Sequence, residues 1–239
     1  MIGLGGAEFR LPLLIGVFGF VALQAVIMNK AMSLLVVLTA LPARLASVPF
    51  ERVAEHWSVI ANLLLGSLVG AWLGASWATR MRSATLYKVL AVLLVFIAVT
   101  LAGTHFLALG SLDLQAWVRI PVGVLAGVGI GIVAAIMGVA GGELLIPTIV
   151  LLFAVDIKTA GSLSLAVSLP TMLVAFARYS RDGSFAVLRA NRGFVIAMAA
   201  GSVAGTVIGG LLLGVVPTAV LIPLLVVLLL ASSVKVWRH

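Results

Sequence analysis

The sequence predicts an all-α, polytopic integral membrane protein. It reads as a single transmembrane domain, residues 1–239, built as two inverted repeats of about five helical segments, the first repeat lacking its first helix. Three observations predict this class. The first is composition: 63% of the 239 residues are hydrophobic, 9% are charged and the mean hydropathy is +1.31. A soluble domain is about half apolar and roughly a quarter charged, so this chain has too few polar side chains to face water and suits lipid instead. The second is that long apolar runs follow one another with only short polar connections. The third is that the chain matches itself at a fixed offset.

A helix needs roughly 20 apolar residues to cross the hydrocarbon core. Measured so, the apolar segments are about 11–28, 30–47, 58–79, 86–108, 119–138, 143–155, 159–177, 193–214 and 217–236. The sixth is too short to span as a straight helix, and the others are long enough. Residues 1–10 lack the basic start, apolar run and small-residue cleavage site of a signal peptide. The connection Val48–Trp57 carries Glu51, Arg52, Glu55 and His56. Arg80, Arg82 and Lys88 form a basic turn, and Leu109–Arg119 is nearly neutral with Asp113. Tyr179–Arg192 holds Arg181, Asp182, Arg189 and Arg192 beside Arg178, and the C-terminus brings Lys235 and Arg238. If every segment crosses, these three basic sites fall on one side, which the positive-inside rule makes cytoplasmic. The expected placement is multi-pass in the plasma (inner) membrane with the C-terminus in the cytoplasm.

The net charge of +8 comes from 15 Lys and Arg against 7 Asp and Glu. Those charges sit in connections, with no basic helix face or aromatic platform, so nucleic acid is not an expected partner. The chain has no cysteine, which excludes disulfides, thiolate metal sites and thiol catalysis. His56 and His105 are solitary and near segment ends, and no metal ligand set is expected. Gly127, Gly129 and Gly131 lie inside an apolar span with no strand before them, so they are no dinucleotide loop. No catalytic residues, no cofactor and no enzyme activity are expected.

At an offset of 135, Gly3 meets Gly138, Gly6 meets Gly141, Glu8 meets Glu143 and Pro12 meets Pro147. Ala25 meets Ala160, Ala31 meets Ala166, Ser33 meets Ser168, and Gly66, Gly70 and Gly74 meet Gly201, Gly205 and Gly209. Leu and Val match freely by chance in apolar sequence; Glu, Pro and a ladder of glycines in one register do not. The units are residues 1–104 and 105–239. The second has a helix, 119–138, ahead of its glycine turn that the first lacks, and the expectation is a start assigned downstream or a naturally shortened chain. Five crossings per unit would invert the second unit. Inverted repeats are a common plan of secondary transporters, with the substrate site where broken helices meet.

The candidate site is the doubled glycine turn: Gly138, Gly141, Gly142, Glu143 and Pro147, echoed by Gly3, Gly5, Gly6, Glu8, Arg10 and Pro12. Clustered glycine permits positive φ, and a Pro shortly after suits the first turn of a helix. Such a helix aims free N–H groups at the break, which is an anion site. Free backbone at membrane depth is tolerated only against protein or a wet cavity. Glu8 and Glu143 read either as proton carriers or as helix-capping carboxylates at the interface. Arg10 and Lys30 occur only in the first unit, where the second has Leu145 and Leu165; each either neutralises an anion or snorkels. Asn29, Ser162, Ser164 and Ser168 are candidates to line a polar path or to bond across helices. The Gly66 and Gly201 ladders read as packing faces.

The set Gly138-x2-Gly141-Gly142-Glu143-Leu-Leu-Ile-Pro147, then Asp156-Ile-Lys158-Thr-Ala160-Gly161-Ser162-Leu-Ser164, Arg178, Gly183 and the Gly201 ladder resembles the TauE/SafE family of sulfite-exporter-like permeases. The resemblance covers nearly the whole chain. It implies a helical, duplicated permease moving sulfite, sulfonate or another small organic anion, often outward. It implies that the two glycine turns and the stretch Ala160–Ser168 form the substrate region. The alternatives are a membrane enzyme, a non-transporting assembly or structural subunit, and a transporter of an unrelated small solute. A small anion, membrane lipid and possible proton coupling are the partner expectations.

Overall fold

The computed structural model describes residues 6–47, 50–106, 112, 115–181, 185–211 and 218–238. Gly3, Gly5, Asp113, Asp182 and Gly183 lie outside them, as do the side chain of His105 and the surroundings of Gly209. The described residues form helices throughout: α1 Ala7–Gly16, α2 Ala22–Ser47, α3 Phe50–Glu55, α4 Trp57–Arg80, α5 Ser83–Phe106, α6 Ala116–Met137, α7 Gly142–Phe153, α8 Ile157–Ser180, α9 Ala186–Ala190, α10 Arg192–Leu211 and α11 Thr218–Trp237. Five stretches are long and apolar enough to cross a membrane: Ala22–Ala40, Trp57–Arg80, Ser83–Gly103, Trp117–Met137 and Ile157–Ser180. Large apolar side chains such as Leu65, Leu125 and Ile196 face outward, as lipid contact requires.

Two expectations about elements need correction. The run 11–28 is not one spanning segment. It breaks after Gly16, where Phe18 N donates to Leu13 O at 3.1 Å, Phe20 N donates to Leu14 O at 3.0 Å, and Gly19 takes φ 71°. A left-handed glycine ends α1 and lets α2 set out afresh at Ala22. The two polar connections also hold short helices, α3 and α9, which hydropathy alone does not signal. The sixth segment is short, as its length implied: the 12 residues of α7 reach about 18 Å.

Helix starts recur along the chain. Ala7 and Gly142, Ala22 and Ile157, Trp57 and Arg192, and Ser83 and Thr218 each lie 135 apart.

The core is a tight α4–α6 pair. A Cβ on Gly66 would collide with the Val124 carbonyl, one on Gly70 with Val128 O and one on Gly74 with Ile132 O. In return, one on Gly127 would strike Leu63 O and one on Gly131 would strike Ser67 O. The contacts climb both helices together, so α4 and α6 run parallel. Asn62 Nδ2 donates to Ile120 O at 3.0 Å and locks the register. The second ladder differs: a Cβ on Gly201 or Gly205 would meet no atom of another element within 4 Å among the described residues, so the packing reading fits the first ladder and not this face as described. The described residues place no helix against that face of α10.

Helix α7 returns antiparallel along α6. A Cβ on Gly141 would meet Ala134, and one on Gly123 would meet the Phe153 ring. Helix α8 then runs back beside α4, joined by Ser67 Oγ to Thr171 Oγ1 at 2.8 Å. The Arg178 and Arg181 guanidinium carbons stand 5.7 and 4.8 Å from the Trp72 ring centroid, two turns before Arg80. Lys88 Nζ stands 5.9 Å from that of Trp237. The 80–88 turn, the end of α8 and the C-terminus therefore gather at one end of the bundle.

Candidate functional site

Two turns build the site. Helix α6 stops in a Schellman motif: Gly138 N donates to Ala135 O at 3.2 Å and Val139 N to Ala134 O at 3.1 Å, with Gly138 at φ 70°. Helix α7 starts after Gly141 at φ 81°, and α1 starts after Gly6 at φ 68°. Neither start has a side-chain cap, so the first-turn amides are left to other partners. The prolines lie deeper than the first turn. Pro12 and Pro147 are the sixth residues of α1 and α7, because the glycine caps start each helix early. Each ring there relieves the carbonyl four residues before it, at Glu8 or Glu143, of its helical N–H donor.

The two starts meet. Ala7, Glu8, Ala140 and Glu143 line one cavity of about 10 Å³, closed on the third side by Ser33, Val36 and Val37 of α2. That volume admits one water. Glu8 is wholly buried and Glu143 nearly so. Neither Glu8 oxygen meets an N–H or O–H donor from elsewhere in the described residues. The Glu143 carboxyl lines the same cavity. Two carboxyl groups bond to one another only where one of them holds a proton.

Arg10 lies two residues, about half a turn, beyond Glu8. Its Nη1 donates to Ser202 Oγ of α10 and its Nη2 to Ser33 Oγ of α2, both at 3.1 Å. Its Nε is buried with no partner among the described residues. Ser33 Oγ in turn donates to Gly138 O at 3.1 Å. A single polar chain thus runs from α10 through α1 and α2 to the glycine turn of α6.

Lys30 has a different task from the two expected of it. It is fully buried, and its Nζ donates to Ala134 O and Val139 O, both at 2.9 Å. It neither snorkels nor lines the cavity. It ties α2 to the last turn of α6 and to the glycine turn that follows it, adding a second donor to the Ala134 carbonyl. Asn29 Nδ2 joins it, donating to Met137 O at 3.0 Å.

Of the other expected residues, Ser164 spends its hydroxyl on Gly161 O at 2.9 Å, and Ser162 Oγ is buried without a partner among the described residues. Neither lines the cavity. Ser202 is the contributor that sequence reasoning missed. The only signal for it was its place one residue after Gly201 in the ladder.

Asp156 caps α8, accepting from Lys158 N at 3.0 Å and Thr159 N at 3.1 Å. Bonding to Thr159 holds this exposed carboxyl below its ordinary range.

The family model described as Sulfite exporter TauE/SafE matches residues 1–236. No curated protein and no solved structure matches the chain.

Proposed function

The chain belongs to the Sulfite exporter TauE/SafE family, and from that premise we propose that this multi-pass membrane protein is a secondary transporter that exports sulfite, a sulfonate or a related small organic anion. One observation carries the reading. Two glycine-started helices bring their first turns and two carboxyl groups to one buried cavity, with Arg10 bonded to its lining residue Ser33. Packing alone calls for none of this, since unpaired polar groups in an apolar interior cost free energy.

The geometry supports anion binding in three ways. Arg10 keeps one buried N–H unspent, at Nε. The first turns of α1 and α7 offer amides and the positive ends of two helix dipoles. The site lies deep: Lys235 packs on Gly16 at the basic end of the bundle, and Glu8 is eight residues, about 12 Å, further in. Glu143 is about 15 Å from Phe153 at the opposite end of α7. This head-to-head arrangement supports the inverted duplication of residues 1–104 and 105–239, and the shared end of the basic clusters supports a cytoplasmic C-terminus in the inner membrane.

A cavity fit for one water is a closed state, so transport opens it by moving α1 and α2 against α6 and α7. Coupling to protons is part of the proposal. Two buried carboxyl groups in contact hold one shared proton more stably than two charges. A change of charge beside them therefore adds or removes that proton.

The test is flux of radiolabelled sulfite and sulfonates across proteoliposomes. Saturable flux above empty vesicles is expected for at least one of them. No flux for any anion in a broad panel would overturn the reading.

A further inference from the structure

Helices α5 and α11 pack side by side and leave a groove of about 350 Å³ on their outer face. It is lined by Ala91, Val92 and Val95 of α5 and by Ser233, Val234 and Trp237 of α11. Its walls face away from the bundle: Val92 is 57% and Val234 52% exposed. The groove is apolar along its length and cationic at one end. There Lys88 Nζ stands 5.9 Å from the Trp237 ring centroid, and Arg238 lines the same mouth. Neither α5 nor α11 contains an acidic residue to neutralise these charges. Trp at such a level belongs to the headgroup zone of a membrane.

We propose that this groove is a site for one anionic phospholipid, an acyl chain lying along Val92, Val95 and Val234 and the phosphate seated between Lys88 and Arg238. The apolar walls supply affinity through buried methylenes. The two cations supply selectivity, since each basic side chain near the headgroups favours anionic lipid. A zwitterionic lipid presents the same chain and phosphate but also an ammonium group, which the two cations repel. The site matters because of where it lies. On the duplicated reading proposed above, α5 and α11 are the corresponding helices of the two halves and the groove is the seam between them. A lipid wedged there resists relative movement of the halves.

The experiment is native mass spectrometry of the full chain released from mixed dioleoylphosphatidylglycerol and dioleoylphosphatidylcholine nanodiscs. One phosphatidylglycerol per chain is expected to stay bound, preferred about tenfold or more over phosphatidylcholine, as two basic contacts imply. Val95→Trp, which fills the groove, and Lys88→Gln with Arg238→Gln, which discharge its mouth, should each abolish the preference. Arg181→Gln changes a basic residue of the same end away from the groove and should leave it intact. An equal loss in Arg181→Gln would show general surface charge and overturn the site, as would a preference that survives Val95→Trp. A dimer held through this groove, broken by Val95→Trp, would put a second copy in place of the lipid and overturn it too. Sulfite flux of the same preparations separates the two readings. Flux without lipid preference sinks only this inference, and lipid preference without flux sinks only the transport reading.

Discussion

A glycine can be required for its backbone, for its lack of a side chain, or for both, and this chain separates the cases. Gly6 and Gly138 both sit near φ 70°, a conformation costing an L-residue roughly 1–2 kcal/mol. A Cβ on Gly6 meets nothing within 4 Å among the described residues, whereas one on Gly138 collides with the Val26 carbonyl. Gly6→Ala should therefore lower stability by about 1 kcal/mol, and Gly138→Ala by more than about 2 kcal/mol with loss of flux. Thermal unfolding in detergent, paired with flux, checks both; equal losses would mean that the close approach of α2 to the turn does not matter. Asp156 gives a second case. Its folded pKa is depressed, so its cap contributes fully above the ordinary carboxylate range and is lost as pH falls from about 4 through the lowered value. Asp156→Ala should cost about 1 kcal/mol or less at pH 7, and the gap from the parent should narrow progressively as pH falls below about 4; a gap unchanged under acid would remove the carboxylate from the account. The sequence flagged these glycines by clustering and by their echo at the offset of 135. It did not mark which take positive φ, because Gly142, inside the same cluster, is an ordinary helical residue. Nor did it show that Lys30 closes α6, since its two partners lie 104 and 109 residues away.

Between elements, sequence-equivalent helices meet different surroundings. Hydropathy places α4, α5, α6, α8 and α11 to within a few residues, because a membrane span is a long uninterrupted signal. It misses the division of 11–28 into α1 and the start of α2, because both pieces are apolar and only the turn at Gly19 separates them. The two glycine ladders read alike, yet one is filled and one is open. A Cβ on Gly70 would collide with Val128 O of α6, and one on Gly205 would meet no atom within 4 Å among the described residues. Gly70→Leu should then force α4 and α6 apart and cost at least about 3 kcal/mol, the upper end of ordinary overpacking. Gly205→Leu should change stability by no more than about 0.5 kcal/mol, as at an open surface position. Thermal unfolding of both variants in one detergent measures the contrast. A large loss from Gly205→Leu would show that α10 is covered by a partner when the protein is folded.

Over the whole molecule, the site joins residues that are remote in sequence. Arg10 reaches Ser202 across 192 positions, and Glu8 faces Glu143 across 135. The pairing of the two turns was legible because the sequence carries the same motif twice, 135 residues apart. Their meeting at a cavity with room for one water was not, because that depends on where α2 closes it with Ser33, Val36 and Val37. The carboxyl pair then makes the last prediction. A glutamine at Glu8 has nearly the shape of the acid, can still donate to Glu143 and cannot release a proton. Glu8→Gln should leave the protein folded and able to exchange labelled for unlabelled anion at equal concentrations. It should no longer answer an imposed pH gradient, which is expected to drive net anion movement in the parent protein. Glu143→Gln should behave alike, because a shared proton is lost whichever partner is fixed, and the double substitution should add nothing further. The measurement is anion counterflow and net flux in proteoliposomes at matched and stepped pH. If Glu8→Gln still follows the gradient, the proton is carried elsewhere and the two carboxyl groups serve only to join α1 to α7.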